Sequence, residues 1–179
     1  MSCGTIQLII YEFAKQKRER KRSCGIFSKW HNSTFKSDFE PFPDSNDEQI
    51  DYILKSTSDV SKLRYLQLVN CDKETIKVML EYKNSPNEVF DREISPIEYI
   101  LEALDKKGNK YPPEVQKSLI LVIWSNFSFM ASINKGFLKN EINNTCNFTH
   151  FKEIYYVVLP DNAEKNSYPI NTGDITRLK

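Results

Sequence analysis

Glu81 and Lys83 stand two residues apart in a stretch of strand length, Ile76 to Lys83 (IKVMLEYK). In an extended chain their side chains leave the same face. Asp72 follows the apolar stretch Leu63 to Asn70 (LRYLQLVN), and a polar connection, Asp72-Lys73-Glu74-Thr75, joins the two. If the stretches pair as a β-hairpin, Asp72 can approach the face of Glu81. Two converging carboxylates make a hard-oxygen site of the kind Mg²⁺ takes, and a nearby ammonium can orient a water or stabilise charge on a phosphorane. That is the chemistry of metal-dependent phosphodiester cleavage, with Asp72 and Glu81 as metal ligands and Lys83 as their catalytic companion. The same charges also suit a solvated strand edge, where they keep the edge from pairing. Asp105-Lys106-Lys107 repeats the acid-x-lysine spelling within a helical pattern.

A second candidate is the basic run Lys15 to Arg22 (KQKRERKR). Lys17, Arg18, Lys21 and Arg22 could face the phosphates of a nucleic acid, or could simply be the solvated end of a helix. Trp30 and Phe35, beside Lys29, His31 and Lys36, form a basic-aromatic patch in what reads as a loop or short strand, Gly25 to Phe39. Tyr155, Tyr156 and Trp124 fall in apolar strands, where packing accounts for them better than base stacking. His31 and His150 are far apart with no acid-rich helix between them, and GxSxG, GxGxxG and GxxxxGK[ST] are absent. Cys3, Cys24, Cys71 and Cys146 form no CxxC or CxxH pair, so they read as reduced structural thiols rather than a zinc knuckle or redox motif.

Several elements must position these groups. Ile6, Ile9, Ile10 and Phe13 recur at helical spacing, and a first helix continues to Ser23 with its basic turns at the C-terminal end. Pro41 to Asn46 (PFPDSN) is a turn cluster, after which Ile50, Ile53 and Leu54 suggest a short helix capped by Ser45 or Asn46 and ending near Ser58. The hairpin follows. Ser95, Pro96 and Glu98 make a capping box, Ile97, Ile100, Leu101 and Leu104 a buried stripe, and Gly108 the expected stop. Ser118 to Ser125 (SLILVIWS) is apolar on both faces, as in a central strand covered on each side. Phe129 to Ile142 reads as a helix and Glu153 to Leu159 as a buried strand ended by Pro160, with residues 160–179 an irregular tail. With no repeat and no linker, the chain reads as a single α/β domain with a central mixed β-sheet flanked by helices.

From Ile6 to Trp124, the order of a helix, three strands of which two form a hairpin, a helix and a buried strand resembles the core of the PD-(D/E)XK, or restriction-endonuclease-like, superfamily. The resemblance implies an acid-x-lysine triplet on the third core strand and an aspartate on the second. Glu81 with Lys83 match the first requirement and Asp72 the second, while Glu12 on the first helix matches an accessory carboxylate. Asp72 follows Cys71 rather than a proline and stands at the end of its stretch. A second arrangement takes LRYLQLVN as the later core strand, where relatives often carry a glutamine such as Gln67, and draws the metal-binding strands from Phe35 to Leu54. There the acids are Asp38, Glu40, Asp44 and Asp51 and no acid-x-lysine exists, so the fold would persist without its active site.

The totals bound these readings. A chain of 179 residues with 40% hydrophobic and 27% charged residues can bury one continuous core. A net charge of +1 gives no global field to recruit nucleic acid or anionic lipid, so any electrostatic site must be local. Leu119 to Trp124 and Ile154 to Leu159 are far shorter than the ~20 residues that span a bilayer. With basic residues after, not before, the apolar Ile6 to Ile10, no secretory signal is spelled. The expectation is a cytoplasmic protein, either a Mg²⁺-dependent nuclease or an inactive relative that binds DNA or RNA. A rival from another class is a non-catalytic adaptor or immunity-type domain with a protein partner.

Overall fold

A strand that is apolar on both faces has to be covered on both, and Leu119–Ser125 is buried at every position. The computed structural model describes residues 3–44, 50–73, 96–126, 133–145, 150–159 and 175–179, with side chains from Lys17 onward except at Pro96 and Thr145. It builds three layers around this strand. The elements are α1 (Cys3–Phe35), β1 (Phe39–Pro43), β2 (Tyr52–Ser56), β3 (Leu63–Asn70), α2 (Pro96–Lys110), the short α3 (Pro113–Gln116), β4 (Leu119–Ser125), α4 (Lys135–Thr145), β5 (Glu153–Val158) and β6 (Ile175–Arg177). The six strands lie in sequence order, with β3, β4 and β5 parallel and the β1–β2, β2–β3 and β5–β6 pairs antiparallel.

Alternation along the central strands assigns the layers. Leu119, Leu121 and Ile123 face Ile100 and Leu104 of α2 and Leu138 and Ile142 of α4. Ile120, Val122 and Trp124 face Cys24 and Phe27 of α1, together with Leu66, Leu68, Tyr155 and Val157. The parallel crossovers from β3 to β4 and from β4 to β5 run in the same direction along the sheet, and their common handedness puts α2 and α4 on one face. The opposite face is left to α1.

Helix α1 does not end at Ser23, and Gly25 to Phe35 is neither loop nor strand. Ser23 turns its hydroxyl back to the Arg20 carbonyl (2.9 Å), while Cys24, Phe27 and His31 supply a buried stripe at helical spacing. The basic run is therefore mid-helix, away from the C-terminal dipole. The helix stops at Lys36, which takes a left-handed φ of 52°, and the Ser37 N–H closes back on the Asn32 carbonyl at 3.1 Å. Asn32 then pairs with Phe39 as a strand would, donating to its carbonyl (2.8 Å) and accepting from its N–H (2.9 Å). This sets the start of β1.

Two segments read as a turn and a short helix are strands. Pro41 and Pro43 are tolerated because β1 is an edge strand. In β2, Leu54 and Ser56 are buried and Lys55 is exposed, a two-residue alternation that outweighs the helical spacing of Ile50, Ile53 and Leu54. LRYLQLVN is the strand β3, but among the described residues its antiparallel partner is β2, and Ile76 to Lys83 lies outside them.

Helix α2 passes through Gly108, which has no positive φ, and is halted before Pro112. Gln116 caps it from outside by donating to the carbonyls of Gly108 (3.0 Å) and Tyr111 (2.6 Å). Helix α4 starts at Lys135, because Asn134 accepts from the Phe137 N–H (3.0 Å) as an N-cap. The final residues are not all irregular, since Ile175–Arg177 pairs with β5. No helix among the described residues is long and apolar enough to cross a membrane.

Two backbone positions give a direct check. A Cβ added at Gly25 would meet nothing within 4 Å, so Gly25→Ala should raise stability by about 0.5–1 kcal/mol. Lys36→Gly should relieve the left-handed strain and gain up to about 1 kcal/mol. Urea denaturation of the two variants measures both, and a loss of stability at either position would contradict a continuous helix at Gly25 or a left-handed cap at Lys36.

Candidate functional site

Strand β2 pairs with β3 only from Leu63 to Leu66, whereas β3 continues to Asn70. Asp51, immediately before β2, supplies what the missing strand would have supplied. Its backbone N–H reaches the Leu66 carbonyl (2.9 Å), and its Oδ2 accepts from the Leu68 N–H (2.7 Å) and from Gln67 Nε2 (2.5 Å). Oδ1 takes Arg20 Nη1 of α1 at 2.9 Å. Gln67, 3% exposed, has its other amide atom held by the Tyr111 hydroxyl at 3.0 Å. The carboxylate is thus joined directly to α1 through Arg20 and, through Gln67, to Tyr111 just past the end of α2.

Lys107 of α2 joins this group. Burial first, then Lys110, Arg20 and Lys106, draw its ammonium down to about 8, while Asp51 opposes them. Lys107 and Lys110 also lie over the Tyr111 ring, 5.9 and 5.2 Å from its centre. The assembly is a cationic rim around a carboxylate whose two oxygens already accept three hydrogen bonds. An approaching polyanion meets positive charge there, whereas a metal would have to displace Arg20 or Gln67.

Asp72 occupies a different place, past the C-terminal end of β3. It is wholly buried, and its carboxylate accepts from the Ser125 hydroxyl (2.5 Å), the Asn126 N–H (2.7 Å) and Asn70 Nδ2 (3.0 Å). It ties the end of β3 to the end of β4. Burial raises its pKa above the ordinary carboxylate value, against these three hydrogen bonds. Glu81 and Lys83 lie outside the described residues, and Glu12 lies on α1 at a position where only the backbone is described. Among the described residues no three acid, histidine or cysteine side chains group so as to hold a metal ion.

Of the basic run, Lys17, Arg18 and Lys21 are exposed, while Arg22 is half-buried and paired with Glu19 at 3.3 Å. Arg18 lies 3.8 Å from the same Glu19. Arg20, which sequence reasoning did not single out, is the member that reaches the sheet; its signal is its position one turn before Cys24 on the buried stripe. Trp30 and Phe35 are helical, and Trp30 packs edge-on against Tyr155 (5.4 Å). Cys24 and Cys71 are free and buried, with Cys24 pushed up to about 12 by desolvation, so both are inert thiols. The chain matches no protein-family model, no curated protein and no solved structure.

Asp72→Asn can keep all three contacts, because the Ser125 hydroxyl can turn from donor to acceptor. It should stay within about 1 kcal/mol of wild type at neutral pH, whereas Asp72→Ala strands buried donors and should cost about 3 kcal/mol. The folded pKa is raised, so Asp72 contributes stability that is complete below its unfolded value near 4 and lost as pH rises through the folded value. Asp38 has the opposite sign: hydrogen bonds from Ser56, Ser58 and Thr57 hold it well below the carboxylate range, so its contribution is lost as pH falls below about 4. Denaturation curves across this range should show Asp72→Asn gaining on wild type as pH rises and Asp38→Asn losing.

Proposed function

We propose that this protein binds nucleic acid on a nuclease-like scaffold, holding the phosphate backbone against the rim around Asp51 rather than cutting it there. The carrying observation is Arg20 of α1 on a carboxylate that is already satisfied, with Lys107 of α2 close enough to feel both Arg20 and Asp51 and with Lys106 and Lys110 beside Lys107 on the same helix. Lys17 and Lys21, one turn apart and exposed on α1, extend the positive surface. A near-neutral chain that concentrates cations in one place has the local field that backbone binding needs.

The order of α1, β1, β2, β3, α2 and β4 supports the resemblance to the restriction-endonuclease-like core. In this reading Asp51 stands at the start of the second strand, but β3, the third, contains neither acid nor lysine. The triplet that would hold and exploit Mg²⁺ is replaced by Tyr65-Leu66-Gln67, with Gln67 bonded to Asp51. Retention of phosphates needs cations alone, so binding survives this replacement while metal-assisted cleavage at Asp51 does not.

Fluorescence anisotropy with labelled duplex and single-stranded oligonucleotides tests the reading. Affinity should fall steeply with salt, and removing Lys17, Lys21, Lys106 and Lys110 together should reduce the slope of log K against log salt by about 0.9 per lost contact on duplex DNA or about 0.7 on single strands. Salt-independent or absent binding would leave the protein-partner reading. Mg²⁺-dependent nicking that disappears in Glu81→Ala and Lys83→Ala would overturn the non-cutting assignment.

A further inference from the structure

Between the C-terminal turns of α1 and the sheet lies a cleft of about 230 Å³, lined by His31, Phe35, Ser37, Phe39, Arg64, Glu153 and Arg177. It opens three turns along α1 from Arg20, roughly 15–20 Å away, and is separate from the rim. Its one anionic side chain among the described residues is Glu153, whose carboxylate takes the Tyr155 hydroxyl and lies 3.6 Å from Arg177. Arg64 is different. It is half-buried on β3, its guanidinium sits 6.0 Å from the Phe39 ring, and it makes no hydrogen bond or ion pair among the described residues.

A guanidinium with no protein partner keeps its donors for a ligand, and its fork matches a phosphate or carboxylate. Arg177, 51% exposed, stands on the same face of the sheet; its Nε donates to the Lys179 carbonyl (2.9 Å) and its Nη2 lies 3.6 Å from Glu153, so it brings its remaining N–H donors to the cleft. Phe35 completes the lining: its ring is fixed by Trp30 (5.9 Å, edge-on) and His31 (4.7 Å), yet it remains 44% exposed. An exposed ring held by its neighbours, in a cleft that two guanidinium groups also line, suits a ligand with a planar group next to its charge.

We propose that this cleft binds the terminal phosphate of a nucleotide, Arg64 and Arg177 taking the phosphate and Phe35 the adjoining base. The ligand is either a free mononucleotide or the phosphorylated end of a nucleic acid. The site does not depend on the rim, and its loss would leave salt-dependent backbone binding there intact.

Calorimetric titration of the full chain with AMP, adenosine, inorganic phosphate and a short oligonucleotide in 5′-phosphorylated and 5′-hydroxyl forms decides the matter. AMP should bind saturably and adenosine should not. Arg64→Gln should weaken AMP about tenfold or more, the loss expected for a charge-assisted contact. Phe35→Ala should weaken AMP while leaving inorganic phosphate unchanged. If Arg64→Gln does not fold by circular dichroism, Arg177→Gln, altered at an exposed side chain, takes its place. Tighter binding of the 5′-phosphorylated oligonucleotide than of its 5′-hydroxyl form, with the difference lost in Arg64→Gln, identifies a nucleic-acid end, and equal binding of the two forms beside saturable binding of AMP identifies a free mononucleotide. AMP that binds no better than adenosine, or equally well to wild type and the arginine variants, would overturn the proposal.

Discussion

The two-sided burial of β4 is the constraint on which the rest depends. Seven successive buried residues leave no solvent face, so one layer of helix could not have sufficed. Burying Leu119, Leu121 and Ile123 against α2 and α4, and Ile120, Val122 and Trp124 against α1, removes large apolar area on both sides at once. Each such side chain contributes about 1.5–3 kcal/mol relative to exposure. A one-residue slip would not expose β4 itself, because both faces are apolar. Register is therefore specified by polar fixings at the strand ends, of which the Asp72 cluster joining β3 to β4 is the most enclosed.

The Asp51 network has a related origin. Where β2 stops short, the N–H groups of β3 would be left without partners beside the core, and such groups cannot be abandoned cheaply. A carboxylate satisfies the Leu68 N–H and the Gln67 amide together, but it brings a charge into a half-buried position. Arg20 offsets that charge from one layer, with Lys107 nearby in the other. The cationic rim is thus the electrostatic consequence of a strand mismatch, formed where the two helical layers come round the end of β2.

Much of the fold was legible because the signals were local and strong. β4, β5 and the stripe of α2 announced themselves by unbroken apolarity or by helical spacing. The failures have identifiable causes. Ser23 and Gly25 looked like a helix end, but tertiary packing of Cys24, Phe27 and His31 overrides their weak propensity. Gly108 looked like a stop, yet Pro112 and the Gln116 side chain end α2 instead. β1 and β6 are short edge strands, and prolines or distance in sequence hide them. As for the site, Asp51 and Gln67 were within reach as members of an alternative arrangement of the core. Their partners Arg20, Tyr111 and Lys107 were not, since separations of many tens of residues become contacts only through the layering.

That α1 continues unbroken decides how its polar residues are used. Arg20, Cys24, Phe27 and His31 follow steps of four, three and four residues, so all lie on the stripe that faces the sheet. Cys24 and Phe27 fill the middle of that stripe and are fully buried. The polar ends then emerge where the sheet runs out, Arg20 beside Asp51 at the start of β2 and His31 beside Ser37 and the cleft under Phe35. A break at Ser23 would have let the two ends settle independently. In a continuous helix, the hydrophobic pair at its centre sets the placement of both cationic places at once, so packing at Phe27 against Tyr155, 4.9 Å between ring centres, positions groups on either side that it never touches.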